Sequence, residues 1–196
     1  LALKSLNIKK NSYIIIPSYT WISTASSVIE CGLKPLFCDV NIDTFLIDKE
    51  NIEETIKFAK KNKLKVGAII SVDLFGNPVD YKAIKKICKK ENIYFISDAA
   101  QSFGAKIGKA YIGTNYCDIL TTSFFPTKTL GCYGDGGALF FNNKEVFNKG
   151  KTFARNGQNP KGLISSGFNS RLDTLQATIL LEKIKECFAS LFTSRA

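Results

Sequence analysis

Six short apolar runs punctuate this chain, at 13–17 (YIIIP), 35–40 (PLFCDV), 66–72 (VGAIISV), 93–97 (IYFIS), 118–123 (DILTTS) and 137–141 (GALFF). They are rich in Ile, Val and Phe, and several are apolar throughout rather than at alternate positions. That pattern predicts strands covered on both faces. Longer stretches between them repeat their apolar residues at helical spacing, at 22–31, 49–61, 81–91, 143–152 and about 170–190. In the second of these the spacing picks out Ile52, Ile56, Phe58 and Ala59, and in the third Tyr81, Ile84 and Ile87. In the last it picks out Leu172, Leu175, Gln176, Ile179 and Leu180, with Asn169 or Ser170 as the cap.

Strand and helix alternating at this spacing predict an α/β fold, a mostly parallel sheet flanked by helices. Ligands of such sheets bind beyond the carboxyl ends of the strands. The positions to inspect are therefore Ser18 to Trp21, Asp73, Asp98 to Gln101, and Phe124 to Gly137. No internal repeat or linker interrupts residues 1–196, which read as one domain.

Composition narrows the chemistry. The chain has 196 residues, 45% of them hydrophobic and 22% charged, enough for a real core and too apolar for disorder. No apolar run reaches the roughly 18 residues of a membrane span. Histidine is absent, which removes Ser-His-Asp and Cys-His hydrolases and His-ligated zinc. Methionine is absent too, so the sequence reads as an internal fragment, with LALKSLNI the tail of a helix already under way. The net charge of +10 comes mainly from Lys clustered at 57–65 and 82–90, on predicted helix faces. Solvated faces explain them; a nucleic-acid surface would want more Arg and interleaved aromatics. The six Cys form no CxxC pair and mostly sit among apolar residues, as buried free thiols of a cytoplasmic protein do.

Four positions stand out for chemistry. Asp98 closes a buried strand, where a carboxylate needs a cation or several donors. It reads either as a helix cap or as an acid facing a metal or a protonated ring nitrogen. Lys128 is the only charged residue between Ile119 and Gly134, in ILTTSFFPTKTLGCYG. Poorly solvated surroundings turn a lysine into a nucleophile or base. Ser123 ends the preceding strand, suited to an oxyanion or to a backbone bond. Trp21, the only Trp, is either a core residue or a plate for a flat ring. The glycines at 131, 134, 136 and 137 permit close backbone approach but match neither a P-loop nor a dinucleotide fingerprint.

The stretches PSYTWISTASSVIECGLKPLFCDV, DLFGNPVDYKAI, SDAAQSFGA, TSFFPTKTLGCYGDGGA and GFNSRLDTLQATIL occur in this order and cover nearly the whole chain. In them the sequence resembles the sugar-nucleotide aminotransferases of the DegT/DnrJ/StrS type, fold-type I enzymes that use pyridoxal 5′-phosphate (PLP). The resemblance implies a large PLP-binding domain over 1–196, with a Gly-Thr segment upstream and a small domain downstream. It implies that Lys128 binds the cofactor covalently, that Asp98 pairs with the pyridine nitrogen, and that Gln101 approaches the ring hydroxyl. Ser123 would bind the phosphate, Trp21 would stack on the ring, and Asn169 would reach a phosphate in the neighbouring subunit of a homodimer. The implied substrates are glutamate and a keto-sugar nucleotide. SFFPTKTLGCYGDGGA and DAAQSFGA look most like enzymes aminating C-3 of a UDP-linked N-acetylated uronate; relatives acting at C-4 of 6-deoxy sugars share most of these motifs. Relatives that dehydrate carry His where Lys128 stands. Asn156 precedes Gly157 where members often have His, and QNPKGLISSG lacks the aromatic and His residues frequent there. A non-catalytic or regulatory protein on the same fold is the alternative.

Overall fold

The computed structural model describes residues 1–193, with side chains through Cys187. Strands β1 (Tyr13–Pro17), β2 (Lys34–Cys38), β3 (Val66–Val72) and β4 (Tyr94–Asp98) come first, then the short pair β5 (Lys106–Ile107) and β6 (Ala110–Tyr111). They are followed by β7 (Ile119–Ser123), β8 (Gly137–Phe141) and the short pair β9 (Gln158–Asn159) and β10 (Gly162–Leu163). Helices α1 (Ala2–Ser5), α2 (Ser23–Glu30), α3 (Lys49–Lys61), α4 (Tyr81–Glu91), α5 (Lys144–Phe153) and α6 (Thr174–Thr193) complete the chain. The main sheet runs β2-β1-β3-β4-β7-β8. All pairings are parallel except β7 with β8, which is antiparallel.

The fully apolar runs are where both faces are covered. Ile14, Ile15 and Ile16 are all inaccessible, pointing alternately to the two layers. On one face Ile15, Ile69 and Phe95 meet Ile52 and Ile56 of α3 and Tyr81, Ile84 and Ile87 of α4. On the other, Ile14, Ile16, Ile70 and Ile96 meet Leu3, Leu6 and Val28 from α1, its following turn and α2. Each buried Ile contributes about 1.5–3 kcal/mol of apolar transfer. A third cluster joins Phe124, Leu130 and Cys132 to Leu180 of α6.

Side-chain caps fix three helix starts. Asp48 accepts from the Asn51 amide at 2.9 Å, Asp80 from Ala83 at 3.0 Å, and Asn143 from both Glu145 and Val146. The lysines of α3 and α4 are solvated as expected, and one of them, Lys60, ties the two helices through Glu91 at 2.6 Å. Cys38, Cys88, Cys117 and Cys132 are buried free thiols. Among the described residues no helix is long and apolar enough to cross a membrane.

Three expectations fail locally. Phe58 lies outside, 55% exposed, because α3 rests on Ile52, Ile56 and Ala59 alone. The last helix begins at Thr174, so neither Asn169 nor Ser170 caps it. Residues 168–170 run extended beside 154–156, where Asn169 bridges Arg155 and the Ser170 amide donates to Ala154. Leu172 and Leu175 remain exposed, since α6 turns Leu180 and Ile184 toward its neighbours.

Candidate functional site

Parallel strands β1, β3, β4 and β7 end on one edge of the sheet, and the residues singled out by their positions gather there. Asp98 is the last residue of β4 and shares the face of Ile96. Together with Ser23, Thr24 and Ser27 of α2 and Thr121 of β7 it lines a hollow of about 260 Å³. One carboxylate oxygen accepts from the Ala100 amide at 3.0 Å, and no other hydrogen bond to this carboxylate exists among the described residues. Burial pushes the Asp98 carboxyl above the usual carboxylate range; the Ala100 amide and the positive charge of Lys128 act in the opposite sense. Lys128 is thus close enough to act on Asp98, although 30 residues separate them in the chain. The register makes this possible: β4 pairs with β7, Asp98 lies opposite Thr121, and the loop carrying Lys128 springs from the end of β7.

That loop is built to hold the lysine. Phe125 accepts the Lys128 amide at 2.8 Å, and Phe124 both donates to Gly136 and accepts from Cys132, each at 2.8 Å. The Cys132 sulfur lies 3.0 and 3.1 Å from the Phe124 and Gly134 carbonyls. Gly131 is required by contact: a Cβ there would stand 2.6 Å from the Pro126 oxygen and 2.8 Å from that of Phe125. The Lys128 side chain is half-buried and forms no hydrogen bond or ion pair among the described residues.

Helix α6 grips this loop from outside, and sequence reasoning missed how. Gln176 accepts from the Tyr133 amide at 2.8 Å. Lys183 donates to the Gly131 carbonyl at 2.8 Å and lies 4.6 Å from the centre of the Tyr133 ring. The available signal was the seven-residue spacing of Gln176 and Lys183, which puts both on one helix face.

The other expected residues take distinct places. Ser123 ends β7 and its hydroxyl accepts from the Phe125 amide at 3.2 Å. The oxygen of Gln101 accepts from the Phe75 amide at 2.6 Å, which leaves the NH₂ donors of the side chain for a ligand. Trp21 sits at the entrance of α2 with 75% exposure, which excludes the core reading. Asn169 is exposed, its side chain accepting from Arg171 at 3.3 Å. The structure therefore brings Asp98, Lys128, Ser123 and Gln101 to one sheet edge, places Trp21 beyond the end of β1 on the same edge, and holds Asn169 in the extended pairing with Arg155.

Residues 1–195 match the DegT/DnrJ/EryC1/StrS aminotransferase family. The chain belongs to that family. Among curated members, it is 42% identical to the UDP-2-acetamido-2-deoxy-3-oxo-D-glucuronate aminotransferase of Pseudomonas aeruginosa, over 92% of this chain and 49% of that one. It is 38% identical to a pleiotropic regulatory protein of Geobacillus stearothermophilus, over 93% of this chain and 48% of that protein. The solved structure of a DegT/DnrJ/EryC1/StrS aminotransferase from Brucella abortus superposes with a TM-score of 0.89 at 37% identity, covering 95% of this chain and 50% of that one. The chain thus spans about half the length of the family members it matches, and its half carries the parallel sheet.

Proposed function

We propose that the protein is a PLP-dependent aminotransferase that moves an amino group from glutamate to a keto-sugar nucleotide, at C-3 of a UDP-linked sugar. The observation that carries this reading is the placement of Asp98, at the end of β4, and of the Lys128 loop, springing from the end of the paired strand β7, on the same ligand edge of the sheet. A half-buried acid and a lysine that has no hydrogen bond or ion pair among the described residues are the two groups PLP chemistry requires at opposite ends of its ring. The residues fit the cofactor. The Lys128 amine would hold it covalently and Asp98 would face the ring nitrogen. Gln101 would offer a donor to the ring oxygen, Ser123 would meet the phosphate, and Trp21 would cover the ring.

When bound, PLP supplies a sink for the electron pair left when a C–H bond beside the amine breaks. The chain's residues do the rest. Asp98 would pair with the ring nitrogen, and the Lys128 amine would hold and move the proton of the substrate carbon. Asn169, exposed at the surface, would reach a phosphate in a second subunit's site, within a homodimer. The C-3, UDP-linked choice is supported by the 42% identical Pseudomonas aminotransferase.

The test uses the full-length protein. Loaded with PLP it absorbs at about 400–430 nm, and glutamate removes that band as the amino group is transferred. Lys128→Ala loses the band and the half-reaction. A Lys128→Ala spectrum equal to the parent's refutes the assignment. A panel of keto-sugar nucleotides then separates C-3 from C-4 amination. A second reading, a regulatory protein on the same fold, has the Geobacillus relative in its favour. Cofactor binding without any glutamate half-reaction would select it.

A further inference from the structure

Behind the site lies a buried acid that the reaction itself does not use. Asp73 immediately follows β3 and is 0% exposed. One oxygen accepts from the Tyr81 and Ser102 hydroxyls, each at 2.7 Å, and the other from the Val79 amide at 3.1 Å. Tyr81 is also 2.5 Å from the Ser97 hydroxyl, one residue before Asp98. The Asp73 amide donates to the carbonyl of Asp98 at 3.0 Å. Asp73 therefore holds the 98–102 turn at both ends, at Asp98 through the backbone and at Ser102 through the side chain.

The same turn is held from the other direction. Residues 74–76 form one 3-10 turn in which Phe75 has φ 57°, a left-handed conformation that a bulky residue rarely adopts. Its amide is the donor that occupies the Gln101 oxygen. Gly76, at φ 81°, lies so close that a Cβ would stand 3.2 Å from the Gln101 carbonyl. A strained non-glycine residue kept in contact with a site residue marks a position whose geometry is over-determined.

We propose, resting on the cofactor reading above, that Asp73 is a positioning residue: through the turn after β3 it sets the Asp98 carboxylate and the donor end of Gln101 together against the cofactor ring. A turn that merely connects β3 to α4 needs no buried carboxylate with three donors.

The experiment compares full-length parent, Asp73→Asn, Ser102→Ala and Tyr81→Phe, with Cys88→Ala as a control for loss of core packing on the α4 face. Two readouts are taken from the loaded proteins: the dissociation rate of the cofactor and its induced visible circular dichroism. Asp73→Asn is expected to release cofactor about tenfold faster, the scale of one net hydrogen bond, and to lose much of the induced signal. Ser102→Ala moves both in the same direction and Cys88→Ala moves neither. Unchanged release and signal in Asp73→Asn and Ser102→Ala overturn the proposal, as does an equal change in Cys88→Ala. Should Asp73→Asn not fold, Ser102→Ala and Tyr81→Phe decide by the same criteria. Hydrogen exchange on the apoproteins keeps the two readings apart. Faster exchange across 98–104 in Ser102→Ala, with β1 unaltered, supports the anchor even if the parent binds no PLP. Unaltered exchange there refutes it.

Discussion

Replacing Gly131 by Ala tests how the lysine loop is held. Gly131 has no left-handed backbone, so an alanine meets no conformational penalty and only contact matters. The new Cβ would lie 2.6 Å from the Pro126 oxygen and 2.8 Å from that of Phe125, against an ordinary contact of 3.4 Å or more. Something must move by about 0.8 Å, and both clashing atoms are backbone. The Phe125 carbonyl is also the acceptor of the Lys128 amide, so relief of the clash passes directly to the lysine. Overpacking of this kind costs about 1–3 kcal/mol of stability. A displacement approaching 1 Å at a reacting group costs on the order of 10²-fold in rate. In the full-length protein Gly131→Ala should therefore lower the urea midpoint modestly. It should cut the rate at which glutamate bleaches the cofactor band by about two orders of magnitude. A variant with the parent's midpoint and parental bleaching rate would show that the loop is not held by this contact.

Other outcomes follow from the packing and the acids. Phe95→Ala, at a 1% exposed position beside Tyr81, should cost about 3–5 kcal/mol in urea unfolding. Burial raises the Asp73 carboxyl above its ordinary value, so the fold favours its protonated form. Its stabilising contribution is complete below the unfolded value, roughly 4, and is lost as pH rises through the folded one. Measured as urea midpoints, apo Asp73→Asn should gain on the parent over that window; a constant difference would contradict the sign. Burial pushes the thiols of Cys38, Cys88 and Cys117 up to about 11, 12 and 12. They should resist alkylation at neutral pH until denaturant is added, and rapid native labelling of any of them would refute their burial.

The sequence by itself determined the elements, because two-sided burial forces unbroken apolar runs and one-sided burial forces helical spacing. YIIIP became β1 within the same bounds. Asp98 and Lys128 were conspicuous because an acid at a buried strand end and a lysine in an uncharged stretch are both costly unless used. What the periodicity could not say was which strands are neighbours. Only the tertiary structure set β4 beside β7 and turned β8 antiparallel, which brings the loop bearing Lys128 to the sheet edge where Asp98 lies. It alone showed Phe58 and Trp21 outside, since an apolar residue's exposure depends on what packs opposite it. Asn169 was drawn into an extended pairing with Arg155 because a bridge across the chain outweighed its local preference for capping. Gln176 and Lys183 act on backbone groups, and Asp73 on the Ser102 hydroxyl, dozens of residues away, and such partners are fixed by folding in three dimensions rather than by spacing along the chain.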